Sequence, residues 1–464
     1  MAATLTPTIR LLLRTFLSIY RFFALYISWF IRLVTGNRGT KAEERVLTGK
    51  SWDEFCDMLK AAGASLQAPG APRDAFNQAE GYRYLARLAR AGLENFVECH
   101  DVEAPRLCAI ANGSRAARVC IGADNPDNLY ENAAIDGRLE YVLSGTRGSV
   151  GYLGFGTQSG QYGGKGGLQT VAYLEAEQLE YDEGTAALPP AERTFTIILS
   201  AVRPPDAPNW LQLLPEPREA MCIVRQTFGD RRLETAAEVT ISRRGSDGSI
   251  ARPSPLTAEK LDEGLCAAGV LVAGASAMFA KWSYGFQQRT NELVLFDQER
   301  SDKAGGDPNI RYYHSYWSLQ PGQVLRIRAR PPPCRCWNFQ LNNHWMESLD
   351  YRHHTIHTNS TLARPDDAEP GLYTILICAA DPNFDGKFRG NWIETTGHSQ
   401  GTMCFRWIAP DAEHDGDKLP HPKADVVDWA TLFGITGHTA LLVRSATPEL
   451  HDLYASLDDT TKRA

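Results

Sequence analysis

Apolar and polar positions divide the chain into three kinds of pattern. The first is helical and basic. The run LLLRTFLSIYRFFALYISWFIRLV, within Thr8 to Val34, has no acid, proline or glycine. On a helical wheel Arg10, Arg14, Arg21 and Arg32 fall within roughly 40° of one another. Phe22, Phe23, Trp29 and Phe30 lie among the apolar residues that fill much of the remaining circumference. A transmembrane helix needs about 20 apolar residues without charge. Here the longest charge-free stretch, Phe22 to Ile31, is ten residues. A cleaved signal peptide would place its basic residues before the apolar core, not through it. The expectation for residues 1–39 is therefore an amphipathic helix in the plane of a membrane, guanidinium groups toward the phosphates. Packing of the same helix on its own domain or on a second subunit is the plainer alternative.

The second pattern is helical without that basic stripe. Residues 40 to 50 are charged and read as a linker, and Ser51 is placed to cap a helix with Asp53 and Glu54 in its first turn. Pro72 to Glu98 repeats apolar residues near helical spacing. Thr257 to Arg289 predicts a long helix. Its stretch Gly264 to Ala280 is seventeen residues without charge, rich in alanine and glycine. That is short for a membrane span, so a buried helix bridging two lobes is expected.

The third pattern is short alternating or apolar runs split by glycine, such as GRLEYVLSG and SVGYLGFGT, from about Arg106 onward and again through residue 408. These predict strands. The resulting division is a membrane-associating helix at 1–39, a helical region at 40–105 and a first β lobe at 106–250. A bridging helix at 251–300, a second β lobe at 301–410 and a tail at 411–464 complete it.

The two β regions share an order of marks. Gly137-Arg-Leu precedes Tyr152 by fifteen positions, and Gly322-Gln-Val precedes Trp337 by fifteen. Phe195-Thr-Ile-Ile-Leu-Ser-Ala resembles Tyr373-Thr-Ile-Leu-Ile-Cys-Ala. The pairs Asn209-Trp210 and Asn391-Trp392 each stand eleven residues before a Met-Cys pair, with Arg225 and Arg406 close behind. Offsets of 185 and 182 point to an internal duplication. The fold class expected is mainly β with helical additions: two related jelly-roll-like sandwiches, an N-terminal amphipathic helix and a long helix between the lobes.

Several of these segments also resemble a known family. WDEFCDMLKAAG, EGYRYLARLARAGLENF, DNPDNLYENAAIDGRLEYVLSG and DPN…GNWIETTGHSQGTMCFRW, from about Ser51 to Pro410, are similar to the domain of unknown function 1214, a relative of number 1254. The resemblance implies a double jelly roll and carries over no catalytic residues.

Composition narrows the functions. With 464 residues and 43% apolar content the chain is globular and long enough for two or three domains. A net charge of -7 gives no basic field, so no nucleic-acid partner is expected. The ten cysteines include no CxxC pair, which suits mostly reduced, buried thiols on the cytoplasmic face of a membrane. No cofactor fingerprint occurs, and Gly160 to Gly167 reads as a hairpin or lid.

Candidate chemistry is sparse. Asp124, Asp127 and His398 are the catalytic candidates; the loop Asp124-Asn125-Pro-Asp127 with Tyr130 is equally a capped turn before a strand. Asn125, Tyr130, Asn209, Trp210, Asn391, Trp392, Arg225 and Arg406 are candidates for ligand contact. The two Asn-Trp pairs read first as structural marks, and the two strand arginines as members of buried ion pairs. His344, His353 and His357 are weak metal candidates, His353 and His357 sharing a face in helix or strand. The function expected is a membrane-surface protein that binds, with or without transforming it, a hydrophobic or amphiphilic small molecule such as a lipid, sterol or polyketide-like compound. The alternatives are a hydrolase or lyase acting on a carbohydrate or glycolipid, and a homo-oligomeric assembly protein.

Overall fold

A computed structural model describes residues 40–111, 120–161, 169–205, 207–245, 249–250, 252–303, 309–383 and 388–434. The arginine-striped segment, with Arg10, Arg14, Arg21, Phe22, Phe23, Trp29, Phe30 and Arg32, lies outside them. So do most of the glycine-rich hairpin and the tail beyond residue 434.

Glycine-punctuated runs become strands. The first β region forms β1 (Cys108–Ala111), β2 (Asn128–Asp136), β3 (Tyr141–Thr146), β4 (Tyr152–Ser159), β5 (Gln169–Glu175), β6 (Thr194–Ser200), β7 (Asn209–Gln212), β8 (Glu219–Thr227) and β9 (Glu238–Arg243). They make two sheets, β1-β2-β8-β4-β5 and β7-β6-β3-β9. Alternation turns Ala133, Ile135, Phe155 and Val224 of one sheet toward Tyr141, Leu143, Ile197 and Ile241 of the other, giving one closed apolar core.

The second region forms β10 (Ile310–Ser318), β11 (Gln323–Ala329), β12 (Cys334–Leu341), β13 (His357–Asn359), β14 (Tyr373–Cys378), β15 (Asn391–Glu394), β16 (Gln400–Pro410) and β17 (Lys423–Asp428). Its sheets run β10-β16-β12-β13 and β15-β14-β11-β17. Aromatic rings fill its core: Trp337 stacks on Phe405 at 5.6 Å, and Trp407 packs edge-on against Phe405 at 4.5 Å. The last strand corrects the expected lobe boundary. β17 lies in what reads as an acidic tail, yet its Asp425 and Val427 pair with Arg326 and Val324 of β11. The Arg326–Asp425 ion pair, at 2.7 Å, offsets the weak apolar pattern there.

Helices form a third layer: α1 (Lys41–Leu47), α2 (Lys50–Ala62), α3 (Ala75–Leu93) and α4 (Ala258–Phe286). Residues 40 to 50 are thus mostly helix rather than linker. Thr40 and Glu43 make a reciprocal capping box, which satisfies the free backbone donors of so short a helix. Ser51 is not the cap of α2, whose N-cap is Gly49. Its hydroxyl is buried and donates to Asp262 of α4 at 2.5 Å, and Arg45 reaches the same carboxylate at 2.9 Å.

α4 is, among the described residues, the helix long and apolar enough to cross a membrane, with half of its most apolar stretch buried in the protein. It joins the lobes in sequence. In space it packs on α2 and α3, and with them covers the second lobe through Tyr84, Leu88, Val272 and Phe279 against Trp345, Met346 and Cys404.

Candidate functional site

β12 alternates strictly: Trp337, Phe339 and Leu341 enter the second-lobe core, so Asn338 and Gln340 face outward. On the neighbouring β16, Phe405 and Trp407 point inward and Arg406 outward. An outward face normally meets water. Here Asn338, Gln340 and Arg406 are at most 4% exposed, because the Ala123–Asn128 loop of the first lobe lies on them.

That loop is held residue by residue. The Asp124 carboxylate accepts from the Ser348 amide at 2.9 Å and the Ser348 hydroxyl at 2.6 Å, and the Asp124 carbonyl accepts from Gln340 at 2.8 Å. Asn125 Oδ1 accepts from Asn338 Nδ2 at 2.6 Å and from the Asp127 amide at 3.0 Å, closing an Asx turn. Arg231 donates to the carbonyls of Pro126 and Asn128, each at 2.6 Å. Arg406 donates to Gln340 Oε1 at 2.6 Å, to Asn338 Oδ1 at 3.3 Å and to the Ala123 carbonyl at 2.5 Å. These partners are amides and a carbonyl, not the buried carboxylate expected for Arg406. Amide dipoles satisfy the guanidinium's directed N–H groups and leave its charge spread over the seam. Ala123 and Met346 both adopt left-handed backbone, φ 58° and 59°, where the Ala123 amide donates to the Met346 carbonyl at 2.7 Å.

Asp127 makes an acid–histidine contact in the seam. Its Oδ1 lies 3.0 Å from His357 Nε2, and the other ring nitrogen, Nδ1, is buried with no hydrogen-bond partner among the described residues. In a neutral imidazole, a carboxylate beside Nε2 selects the tautomer in which Nε2–H donates to it and Nδ1 carries the lone pair. Deeper in the same layer, Glu347 accepts from Arg87 at 2.6 Å and Asn343 at 2.8 Å. Burial pushes the Glu347 carboxyl up, and the Arg87 guanidinium opposes it.

The remaining sequence candidates lie elsewhere. His398 is buried against the Phe76 ring, its Nδ1 bonded to the Thr395 carbonyl at 3.1 Å; burial lowers its pKa. Asn209 bonds both ways with the Glu180 backbone and donates to the Thr196 carbonyl at 3.0 Å; Asn391 does the same with Arg364 and with Thr374 at 2.9 Å. Trp210 and Trp392 donate to Ser200 and to the Cys378 carbonyl. Tyr130 contacts the Asn128 amide and lies under the Arg225 guanidinium, 5.3 Å from its ring centre.

The weak metal candidates are not brought together. His344 bonds Tyr316 at 3.0 Å, with its pKa pushed down to about 4 by burial; His357 holds Asp127, and His353 is exposed. Among the described residues no three histidine, cysteine or acidic side chains converge on a point. The cysteines are free apart from a Cys99–Cys108 disulfide, which spacing alone did not indicate. Asn338, Gln340, Ser348 and Arg231 are seam residues that sequence reasoning missed. The first two had a signal, polar side chains alternating with Trp337, Phe339 and Leu341.

The architecture is that of a mainly β protein with four sheets and a helical layer. The crystal structure of an uncharacterized protein from Burkholderia cenocepacia is similar to it, at 41% identity with a TM-score of 0.72, over 84% of this chain and 99% of that one. The chain belongs to the same family as that protein. A protein from Vibrio parahaemolyticus is 10% identical, with a TM-score of 0.43, over 79% of this chain and 100% of that one. No protein-family model matches the sequence, and no curated protein matches it.

Proposed function

We propose that the chain sits at a membrane surface and that its β lobes bind a hydrophobic or amphiphilic small molecule. The observation that carries this reading is the outward face of α4. Cys266, Val270, Gly274 and Met278, four residues apart, are all exposed and include no charge. An apolar stripe of this kind is suited to the headgroup boundary of a bilayer. The Thr40 hydroxyl bonds Glu259 in the first turn of α4, so the described chain begins near one end of that stripe. Tyr284, also exposed, and Lys281 lie at the other end, the residue types favoured at a lipid interface.

The kinship with the domain of unknown function 1214, and a pair of jelly-roll lobes made by duplication, belong to the same reading. Support for the duplication comes from strand order. β2-β8-β4 corresponds to β10-β16-β12, β7-β6-β3-β9 corresponds to β15-β14-β11-β17, and the pairs β6/β7 and β14/β15 are both parallel. The matched backbone bonds of Asn209 and Asn391 add to it.

The test is partition of the full-length protein onto vesicles of mixed anionic and zwitterionic lipid. Deletion of residues 1–39, or the pair Val270→Asp and Met278→Asp, is expected to reduce the bound fraction severalfold. Unchanged binding in both variants overturns the membrane reading.

A hydrolase or lyase acting on a carbohydrate or glycolipid is the second reading, and the Asp127–His357 pair favours it, because a carboxylate that orients an imidazole is a recurrent element of general-base sites. Turnover of a glycan by the protein, lost in Asp127→Asn, would support it; no turnover across a glycan panel removes it.

A further inference from the structure

β2 sends alternate residues to opposite faces. Ala133 and Ile135 enter the first-lobe core, so Glu131 lies on their side of the strand, toward the space between the sheets. There it lines a cavity of about 450 Å³ at the sandwich edge, with Leu129 and with residues of β3 and β9 that include Thr146, Glu238 and Val239. Glu131 is half-buried and, among the described residues, has no hydrogen-bond or ionic partner. None of the lining residues is basic. Burial pushes its carboxyl above the usual carboxylate range. An uncompensated carboxylate is a poor choice for packing, since an amide or apolar residue would fill the space without loss of hydration.

We infer that this cavity is a binding site for an organic cation: an ammonium-bearing amphiphile whose positive head meets Glu131 and whose hydrocarbon part lies along Leu129 and Val239. Glu238 at the rim contributes a second negative charge, and Thr146 an oxygen that can turn toward the cation. The inference rests on the reading that the lobes bind an amphiphilic small molecule, and it adds the place and the charge.

Isothermal titration of the full-length protein with hexyltrimethylammonium and with 1-hexanol tests it. The cation is expected to bind the wild type and to bind Glu131→Gln more weakly by roughly tenfold or more, while hexanol binds the two proteins alike. Glu131→Gln keeps the side-chain shape and removes an unpaired charge, so its melting temperature is expected to be unchanged or higher. Equal affinity of the cation for both proteins overturns the charge assignment and leaves the small-molecule reading standing. Failure of both compounds to bind the wild type overturns the two together.

Discussion

Asp127 and His357, 230 residues apart in sequence, meet across the seam between the two β lobes at 3.0 Å. The contact joins the loop before β2 to the edge strand β13. Asp127 is 3% exposed, and its carboxylate meets His357 on one oxygen and Asn338 on the other, whose amide lies 3.4 Å away. Replacing it with asparagine keeps the volume, removes the charge and turns one of its two acceptor oxygens into a donor, so that either His357 or Asn338 loses its acceptor. Asp127→Asn should lower unfolding stability by roughly 2 kcal/mol, the cost of leaving a buried donor unpaired. A double-mutant cycle with His357→Gln should return a coupling of roughly 1 kcal/mol or more. Urea denaturation measures both, and additive losses would show that the pair contributes nothing of its own.

Arg406 makes a larger claim on the same seam. Its guanidinium supplies Asn338, Gln340 and the Ala123 carbonyl at once, in a place that water does not reach. Arg406→Met would fill the space and strand three acceptors. A loss of about 3 kcal/mol or more is expected. Arg406→Lys should recover only part of it, because an ammonium cannot span the fork that serves Gln340 and Ala123 together. Equal stability of the lysine variant and the wild type would mean that charge alone matters there.

Much of this arrangement was legible in the sequence, but unevenly. α3 and α4 follow from apolar residues at helical spacing, and the cores of β12 and β16 from strict alternation. The turn-forming character of Asp124 to Asn128 was plain; its burial was not, because the residues that cover it are more than 200 positions away. α1 was hidden by its charge, which is solvated on one side and spent on Asp262 on the other. β17 was hidden because Lys423 to Asp428 is short and acidic, and its pairing with β11 is decided by the partner strand. Nothing in NLYENAAID says which face Glu131 takes; only the register against β8 does.

The ring of His314 gives the stability a pH dependence. It is stacked between Phe286, 5.7 Å away, and Tyr312, 5.4 Å away. Burial first, and the positive charge of Arg406 second, push its pKa down to about 3. The folded protein therefore refuses a proton that the unfolded chain accepts below about 6.5. Stability present above that pH is lost as pH falls toward 3, and His344, pushed down to about 4, works in the same direction. Between pH 6.5 and 4.5 the His314→Phe variant should lose roughly 2 kcal/mol less than the wild type. Urea midpoints at the two pH values settle it; parallel losses would show that His314 is not the group responsible.

Two glycines of α4 should respond to alanine with opposite signs. Both lie in the helix interior, where alanine is favoured over glycine by about 1 kcal/mol through backbone entropy alone. At Gly274 an added methyl meets nothing within 4 Å, since the position lies on the exposed stripe. Gly274→Ala should therefore be stabilising by roughly 0.5–1 kcal/mol. At Gly264 the same methyl would stand 2.4 Å from the Phe96 carbonyl oxygen, which is backbone and cannot swing aside. The helix would have to move away from the turn that follows α3, opening the contacts of Phe96 and Leu265. Gly264→Ala should cost about 1–3 kcal/mol in spite of the same gain in propensity. Thermal melts of the two single variants decide the matter. If Gly264→Ala melts at or above the wild-type temperature, α4 does not approach the backbone at Phe96 as closely as described, and the small residues of its inner face are not there for contact.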